Sequence, residues 1–264
     1  GGLGDGNTVP WTTTRAYTYA EFVTTSQPCP TAGFDFALKA IWFCKGMVNP
    51  DIVGHEYSHA IDMFSHYDTT GNPIGTVYQG ESGALNEAQA QFFMLGYKRF
   101  VSPTNYWLYI NPDPVARPFD YSNPETFSYI PGDPATLNSD RFHSPNFYCG
   151  TDDHQGVHIK SIILMKSQYL LSEGGRFNGC TLTGIGIDKT LQIWYRAVTQ
   201  YYSTTETFNG ACVKLIQAAT DLYGADSVEV RHVRRALQSV ELDQPGFCSG
   251  QPARVPDALD LEGW

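Results

Sequence analysis

Two histidines four residues apart, His55 and His59, constrain the fold of this chain more than any other feature of its sequence. Pro50 precedes them and predicts the start of a helix, because a proline in the first turn loses no hydrogen bond. On a helix that continues to about Ser65, residues four apart lie on one face, one turn from each other. Both imidazoles can then bind a single metal ion, and zinc suits such a pair.

Glu56 lies about 100° around the helix from His55. From there its carboxylate can reach a water on the metal without binding the metal, as a general base must. A catalytic zinc site also needs a third protein ligand. The candidate is Glu87, near the start of a second helix predicted over about 83–100. Solvent-facing histidines and an ordinary exposed glutamate are the alternatives that spacing alone leaves open.

Charge and hydrophobicity exclude two classes of partner. The net charge of −10 argues against nucleic acid, because phosphate binding needs clustered Lys and Arg. No apolar run approaches the length of a membrane span. With 42% hydrophobic residues among 264, the chain can form one large domain or two small lobes that share a cleft.

The six cysteines form no C-x-x-C pair, which argues against a zinc ribbon or a redox motif. An even count indicates disulfides and an extracellular setting, with six buried thiols as the alternative. The chain begins Gly-Gly-Leu-Gly-Asp-Gly. We therefore expect a secreted, mature chain from which a leader, with or without a pro-segment, has been removed.

Sequence pattern divides the chain into three parts. Residues 1–49 are expected to form a small lobe of short strands and turns, at 12–14, 17–19 and 34–43. Residues 50–249 predict a mainly helical core, and 250–264 an extended or disordered tail. Beyond the first two helices, further helices are expected over 157–172, over 187–202, up to Gly224, and from Asp226, with Glu229 completing a capping box.

Four blocks of sequence together resemble the thermolysin-like zinc metallopeptidases. The blocks are DIVGHEYSHA at 51–60, YQGESGALNEA at 78–88, DHQGVHI with YLLSEGG at 153–175, and GIG, WYRA and AATDLYG between 184 and 224. They occur in the family's order and cover most of 51–240. The resemblance implies an α+β fold in which a mainly helical C-terminal lobe and a reduced N-terminal lobe of short strands enclose an active-site cleft.

The resemblance assigns the metal chemistry residue by residue. His55, His59 and Glu87 match the ligands of one catalytic zinc ion, and Glu56 matches the general base. Asn86 matches a residue that supports a ligand histidine. At Gln91 the family usually has an aspartate that supports the first zinc histidine, so we expect weaker zinc binding or a substitute partner.

Other matched residues act on the substrate. Tyr78 and His158 match the pair that hydrogen-bonds the oxyanion, and Asp153 matches the carboxylate that orients the histidine. Arg117 matches an arginine that contacts a substrate carbonyl. By the same analogy Ile52 and Ala116 line the pocket beyond the scissile bond, which favours a bulky hydrophobic residue there.

The chain also departs from the family pattern. The extra residues between His59 and Glu87 fall in 66–76, where they are expected to lengthen a loop without disturbing ligation. Only residues 1–49 stand where the family has a large β-rich lobe. Within them, residues 40–42 match the edge strand that pairs with substrate.

The family's acidic cluster for paired calcium ions is not evident after Glu87, where Lys98 and Arg99 stand. Disulfides can replace calcium as stabilising cross-links. Some relatives have a disulfide that resembles Cys212–Cys248. The four remaining cysteines would then pair with their neighbours in the sequence, as Cys29–Cys44 and Cys149–Cys180. This is one of several possible connectivities.

These observations predict a secreted zinc-dependent endopeptidase that acts on polypeptides. The alternative is a catalytically impaired thermolysin-like protein that serves as a binding or assembly module. The short N-terminal lobe, Gln91 and the aromatic-rich stretch 101–150 favour that alternative. The presence of every residue needed for the chemistry favours the enzyme, since a purely structural zinc would leave Glu56 without a purpose.

Overall fold

A computed structural model of the chain describes residues 15–19 as backbone only, and residues 31–109, 119–126 and 138–243 in full. Within these ranges the helices are α1 Pro50–Met63, α2 Gly80–Val101, α3 Asp152–Glu173, α4 Ile187–Gln200, α5 Phe208–Tyr223 and α6 Val228–Ser239. The strands are β1 Arg15–Tyr19, β2 Ala32–Asp35, β3 Ala40–Cys44, β4 Leu108–Tyr109, β5 Phe119–Asp120, β6 Gly175–Phe177 and β7 Cys180–Leu182. The predicted fold class, mainly helical with a small strand region, is confirmed.

All six predicted helices are present, and their ends follow local chemistry. Asn49 caps α1, since its side-chain oxygen accepts a hydrogen bond of 2.8 Å from the backbone N–H of Ile52. The predicted start of α6 is wrong by one residue. Ser227 is the cap, and its hydroxyl accepts from the N–H of Val230. Glu229 takes no part in a capping box, because its carboxylate accepts from Lys189.

The N-terminal strands form a three-stranded sheet with β3 in the centre. It pairs in parallel with β1 and antiparallel with β2. The strands predicted at 17–19 and 34–43 are confirmed, the second as β2, a turn and β3, whereas 12–14 lies outside the described residues. The prediction that residues 40–42 form an edge strand is wrong, because neighbours on both sides already bind the backbone of β3.

Helix α2 is the central element of the helical lobe. It packs against α1 on one side and α3 on the other. Glycines allow close approach at two of its contacts, since a Cβ on Gly83 would overlap the Val157 side chain and one on Gly96 would lie 2.8 Å from Leu191. Side chains from α2 to α6 form one continuous hydrophobic core. Among the described residues, no helix combines the length and apolar character that a bilayer span requires.

Two of the described cysteines, Cys44 and Cys149, are disulfide-bonded, whereas Cys180 and Cys212 are not. The predicted pairs Cys212–Cys248 and Cys149–Cys180 are therefore wrong. Cys180, on β7, and Cys212, on α5, instead pack as small apolar side chains in the core. The pair Cys29–Cys44 stays a prediction, because Cys29 lies outside the described residues.

A buried ion pair joins the start of α1 to the end of α2. The Lys98 ammonium lies 2.5 Å from the Asp51 carboxylate and donates to the carbonyl of Leu108, also at 2.5 Å. Both charged side chains are less than one-tenth exposed. A buried positive charge thus lies where the family resemblance implies an acidic cluster, and it ties α1, α2 and β4 together.

Removing that ammonium tests its contribution to stability. Lys98→Met keeps the length of the side chain but takes the cation from the buried Asp51 carboxylate, so we expect the free energy of unfolding to fall by about 3–5 kcal/mol. Urea titration followed by circular dichroism measures the loss. Lys189→Met is the control, because Lys189 pairs with Glu229 from a half-exposed position, and such pairs contribute little. Equal losses in the two variants would contradict this role.

Candidate active site

The three predicted metal ligands lie together between α1 and α2. The Nε2 atoms of His55 and His59 are 3.1 Å apart. The Glu87 carboxylate oxygens lie 3.3 Å from His55 Nε2 and 3.6 Å from His59 Nε2. A tetrahedral zinc ion with bonds of about 2.0–2.1 Å would hold its ligand atoms about 3.3 Å apart. The observed separations bracket that value, so these residues fit zinc.

The charges of the site also favour a cation. Burial alone would raise the pKa of Glu87, but His158, His59 and His55 hold it well below its ordinary value. Burial would lower the pKa of His55, but the Glu87 and Glu56 carboxylates raise it above its ordinary value. An ionised carboxylate in a site that is almost closed to water is stable only beside positive charge. Glu87 is 3% exposed.

Glu56 lies on the turn of α1 that carries His55, and it is 8% exposed. Among the described residues no hydrogen bond holds its carboxylate, so its oxygens are free to contact a water molecule. Its charge contributes to the raised pKa values of both His55 and His158, which places it beside the ligands and the predicted oxyanion donors. This is the position expected of a general base.

Tyr78, His158 and Asp153 converge on the same site. The Tyr78 hydroxyl donates to Glu87 and lies 3.4 Å from His158 Nε2. Asp153 accepts from both the ring Nδ1, at 2.6 Å, and the backbone N–H, at 2.9 Å, of His158. The structure thus brings together the predicted hydrogen-bond donors and the carboxylate predicted to orient one of them.

Both donors keep their protons at neutral pH. Burial, together with the Glu87 carboxylate, raises the pKa of Tyr78 above its ordinary value. Partial loss of water around the His158 ring would lower its pKa, but the Glu87 and Asp153 carboxylates outweigh this effect and raise the pKa to about 9. The His158 side chain is 54% exposed, so this Nε2–H is open to a ligand in the cleft.

A left-handed turn at the start of α3 positions Asp153. Asp153, His154, Gln155 and Gly156 all have positive φ, between 50° and 80°. For residues other than glycine this conformation costs about 1–2 kcal/mol each. The turn brings the Asp153 carboxylate back over the right-handed part of the helix, which begins at residue 157 as predicted. Strain of this kind is characteristic of functional sites.

Asn86 and Gln91, the two residues considered as neighbours of the zinc histidines, make different contacts. Asn86 Oδ1 lies 2.5 Å from His59 Nδ1. Gln91 does not support His55, because its amide donates to the hydroxyl of Tyr121. Among the described residues, His55 Nδ1 is buried and has no hydrogen-bond partner.

Of the residues predicted to contact the substrate, the structure describes only Ile52, and it places Ile52 in the core. Ile52 is 3% exposed and packs with Phe34, Ile41 and Met63 in the core beneath the small sheet. Ala116 and Arg117 lie outside the described residues. The sequence interpretation missed His154, whose exposed ring lies edge-on to Tyr78 with centroids 5.4 Å apart. Its position in the DHQGVH block was the available signal.

The chain is similar in sequence to known proteins. A family profile described as "Thermolysin metallopeptidase, alpha-helical domain" matches residues 75–242. Bacillolysin from Bacillus cereus is 39% identical over 200 residues, which cover 72% of this chain and 31% of that protein. Thermolysin from Alicyclobacillus acidocaldarius subsp. acidocaldarius is 38% identical over 200 residues, with coverage of 72% and 32%. The chain therefore spans about a third of the length of these curated relatives.

A solved structure, the precursor of protealysin, a metalloproteinase from Serratia proteamaculans, has a similar fold. Its TM-score is 0.60 at 20% identity, over 81% of this chain and 65% of that one. At this identity the likeness concerns the fold alone.

The strained turn before His158 can be tested at Gly156. A Cβ there would overlap the Tyr148 ring, on a backbone with φ of +80°. The free energy of unfolding of Gly156→Ala should therefore fall by about 1–2 kcal/mol, because alanine disfavours this backbone conformation. Overpacking against Tyr148 should lower it by about 1–3 kcal/mol more. Gly224→Ala is the control, because Gly224 has φ of +91° but open space where a Cβ would stand. Equal unfolding free energies for the two variants, measured in urea, would contradict the close contact.

Proposed function

Because this chain belongs to the thermolysin family of metallopeptidases, we propose that it is a secreted zinc-dependent endopeptidase acting on polypeptides. The observation that carries the proposal is the cluster of His55, His59 and Glu87, whose ligand atoms all lie within 4.8 Å of one another. Glu56 stands beside that cluster with a carboxylate ready to accept a proton. Polar groups arranged in this way serve hydrolysis rather than structure.

Each of these side chains then has a task. Held by His55, His59 and Glu87, a zinc ion would polarise the scissile carbonyl and make a water molecule more acidic. Glu56 takes the proton from the attacking water and delivers it to the leaving amine.

The oxyanion that forms on the carbonyl requires donors. The Tyr78 hydroxyl and His158 Nε2–H both point toward the metal ligands and lie 3.4 Å apart. Asp153 holds the His158 ring so that Nε2 faces the cleft, because its own bond is made to Nδ1.

We extend the proposal to the rest of the chain. Residues 50–249 form the catalytic core, 1–49 the reduced N-terminal lobe, and 250–264 a tail. A bulky hydrophobic residue is preferred after the scissile bond, with Arg117 on a substrate carbonyl and Ala116 in the pocket. These assignments rest on the family pattern.

Two observations support secretion and processing. The disulfide-bonded state of Cys44 and Cys149 fits an oxidising compartment. The structurally similar protealysin is a precursor, in keeping with a pro-segment that is removed.

Glu56→Gln is the decisive test of the mechanism. The amide cannot accept the water proton, so cleavage of casein should fall by about 10²–10⁴-fold while the protein still binds one zinc ion. A zinc chelator should abolish cleavage by the wild type. Glu125→Gln, at a half-exposed glutamate outside the site, should retain activity. If wild-type protein binds zinc but cleaves nothing, the binding or assembly module is favoured instead.

Asp153→Asn tests how His158 is held. An asparagine fills the same space but binds the imidazole more weakly and can present N–H to it, so the ring loses its orientation. We expect kcat to fall by about 10²-fold, the cost of losing one oxyanion donor, with zinc content unchanged. Asp152→Asn, at the exposed neighbouring carboxylate, serves as the control. A kcat equal to that of the control would rule out the orienting role.

A further inference from the structure

A chain of buried polar side chains runs from Asp62 to the metal ligand His59. The Thr76 hydroxyl donates to Asp62 at 3.0 Å. The Asn86 amide donates to the Thr76 hydroxyl oxygen at 3.1 Å. The Asn86 carbonyl oxygen lies 2.5 Å from His59 Nδ1. All four side chains are buried, and Asp62 is 0% exposed.

The carboxylate at the end of this chain sets the direction of every hydrogen bond in it. Asp62 also accepts from the backbone N–H of Thr76, at 2.8 Å, and from the Gln89 amide, at 2.9 Å. An ionised carboxylate can only accept, so the Thr76 hydroxyl must donate to it and accept from its other neighbour. That neighbour is Asn86, which must therefore turn its NH₂ toward Thr76.

The orientation of Asn86 determines which tautomer of the metal ligand His59 is stabilised. With its NH₂ directed at Thr76, Asn86 presents only oxygen to His59. The proton of a neutral His59 ring then sits on Nδ1, and the lone pair on Nε2. Nε2 is the atom that lies 3.1 Å from His55 Nε2 and 3.6 Å from Glu87. The ring is thus held in the tautomer and orientation that a metal ligand requires.

The loop between α1 and α2 carries Thr76 into this position. Its start and end are joined, since the N–H of Ile74 donates to the carbonyl of His66 at 2.9 Å. Gly75 has φ of +63°, and a Cβ added to it would lie 3.0 Å from the Asp62 carboxylate, so a larger residue would crowd Asp62. The sequence interpretation expected this longer loop to leave ligation undisturbed, yet its last residues contact the group that supports a ligand.

We propose that Asp62 and Thr76 are positioning residues for the metal centre, which fix the tautomer and direction of His59 through Asn86. This inference rests on the proposed zinc site and deepens it. Neither residue touches the metal or the substrate. Their effect is on how well His59 binds zinc and on the geometry that the ion adopts.

Thr76→Val tests the proposal, because valine has the shape of threonine but neither donates nor accepts. We expect the zinc affinity of the metal-free protein, measured by competition with a chromogenic chelator, to fall about 10–100-fold. The visible absorption spectrum of the cobalt(II)-substituted protein should change as well. Thr76→Ser keeps the hydroxyl and should restore both properties.

Thr190→Val is the matched control, because it makes the same substitution at another buried threonine. Thr190 is 0% exposed and donates to the carbonyl of Gly186, on α4 and outside the chain of hydrogen bonds. It should destabilise the metal-free protein in the way that Thr76→Val does, but leave zinc affinity and the cobalt spectrum unchanged.

The possible outcomes separate this inference from the proposed function. If Thr76→Val binds zinc as tightly as wild type and gives the same cobalt spectrum, the positioning role is wrong while the peptidase stands. If Thr190→Val loses as much zinc affinity as Thr76→Val, the effect is one of stability and the role is again wrong. If wild type itself binds no zinc, the proposed function is wrong, and the inference that rests on it is wrong as well.

Discussion

The packing of α1 against α2 is the contact on which the rest of the molecule depends. It places two imidazoles and two carboxylates, those of Glu56 and Glu87, in a region almost closed to water. Burying these carboxylates without compensation would be costly. The histidines offset part of that cost, and a divalent cation would offset more. A bound cation should therefore stabilise this interface as well as serve the chemistry.

Polar contacts continue along this interface in both directions from the metal ligands. At one end Lys98 binds Asp51, and at the other Gln89 binds Asp62. Such residues are unusual in the central helix of a core, where apolar side chains would pack with less desolvation. Their geometry is directional, and that direction fixes the rotation of α2 about its axis. A small error in that rotation would carry Glu87 away from the histidines.

Local periodicity predicted the helices and placed His55 and His59 on one helix face, whereas Glu87 was assigned by the family resemblance and not by spacing. Residues four apart on a helix must share a face, and the helix start at Pro50 follows from backbone chemistry. Gln91 could not be placed in this way, because its partner Tyr121 lies 30 residues further on. The left-handed turn at 153–156 includes three residues other than glycine, so no propensity predicts it. The contact between Thr76 and Asp62 joins a loop to a helix, and no period links the two.

The central position of β3 changes what the N-terminal lobe can offer a substrate. An extended peptide that binds by strand addition needs an edge with unpaired N–H and C=O groups. In this sheet β1 and β2 occupy both sides of β3, so a peptide could be added to it only at the outer edge of β1 or of β2. Substrate binding would then depend more on side chains of the helical lobe. Tyr78, His154 and His158 belong to the helical lobe and lie beside the site. Of these three, only His154, whose ring is exposed, has no role in the proposed chemistry. Replacing it would remove none of the groups that the proposed hydrolysis uses.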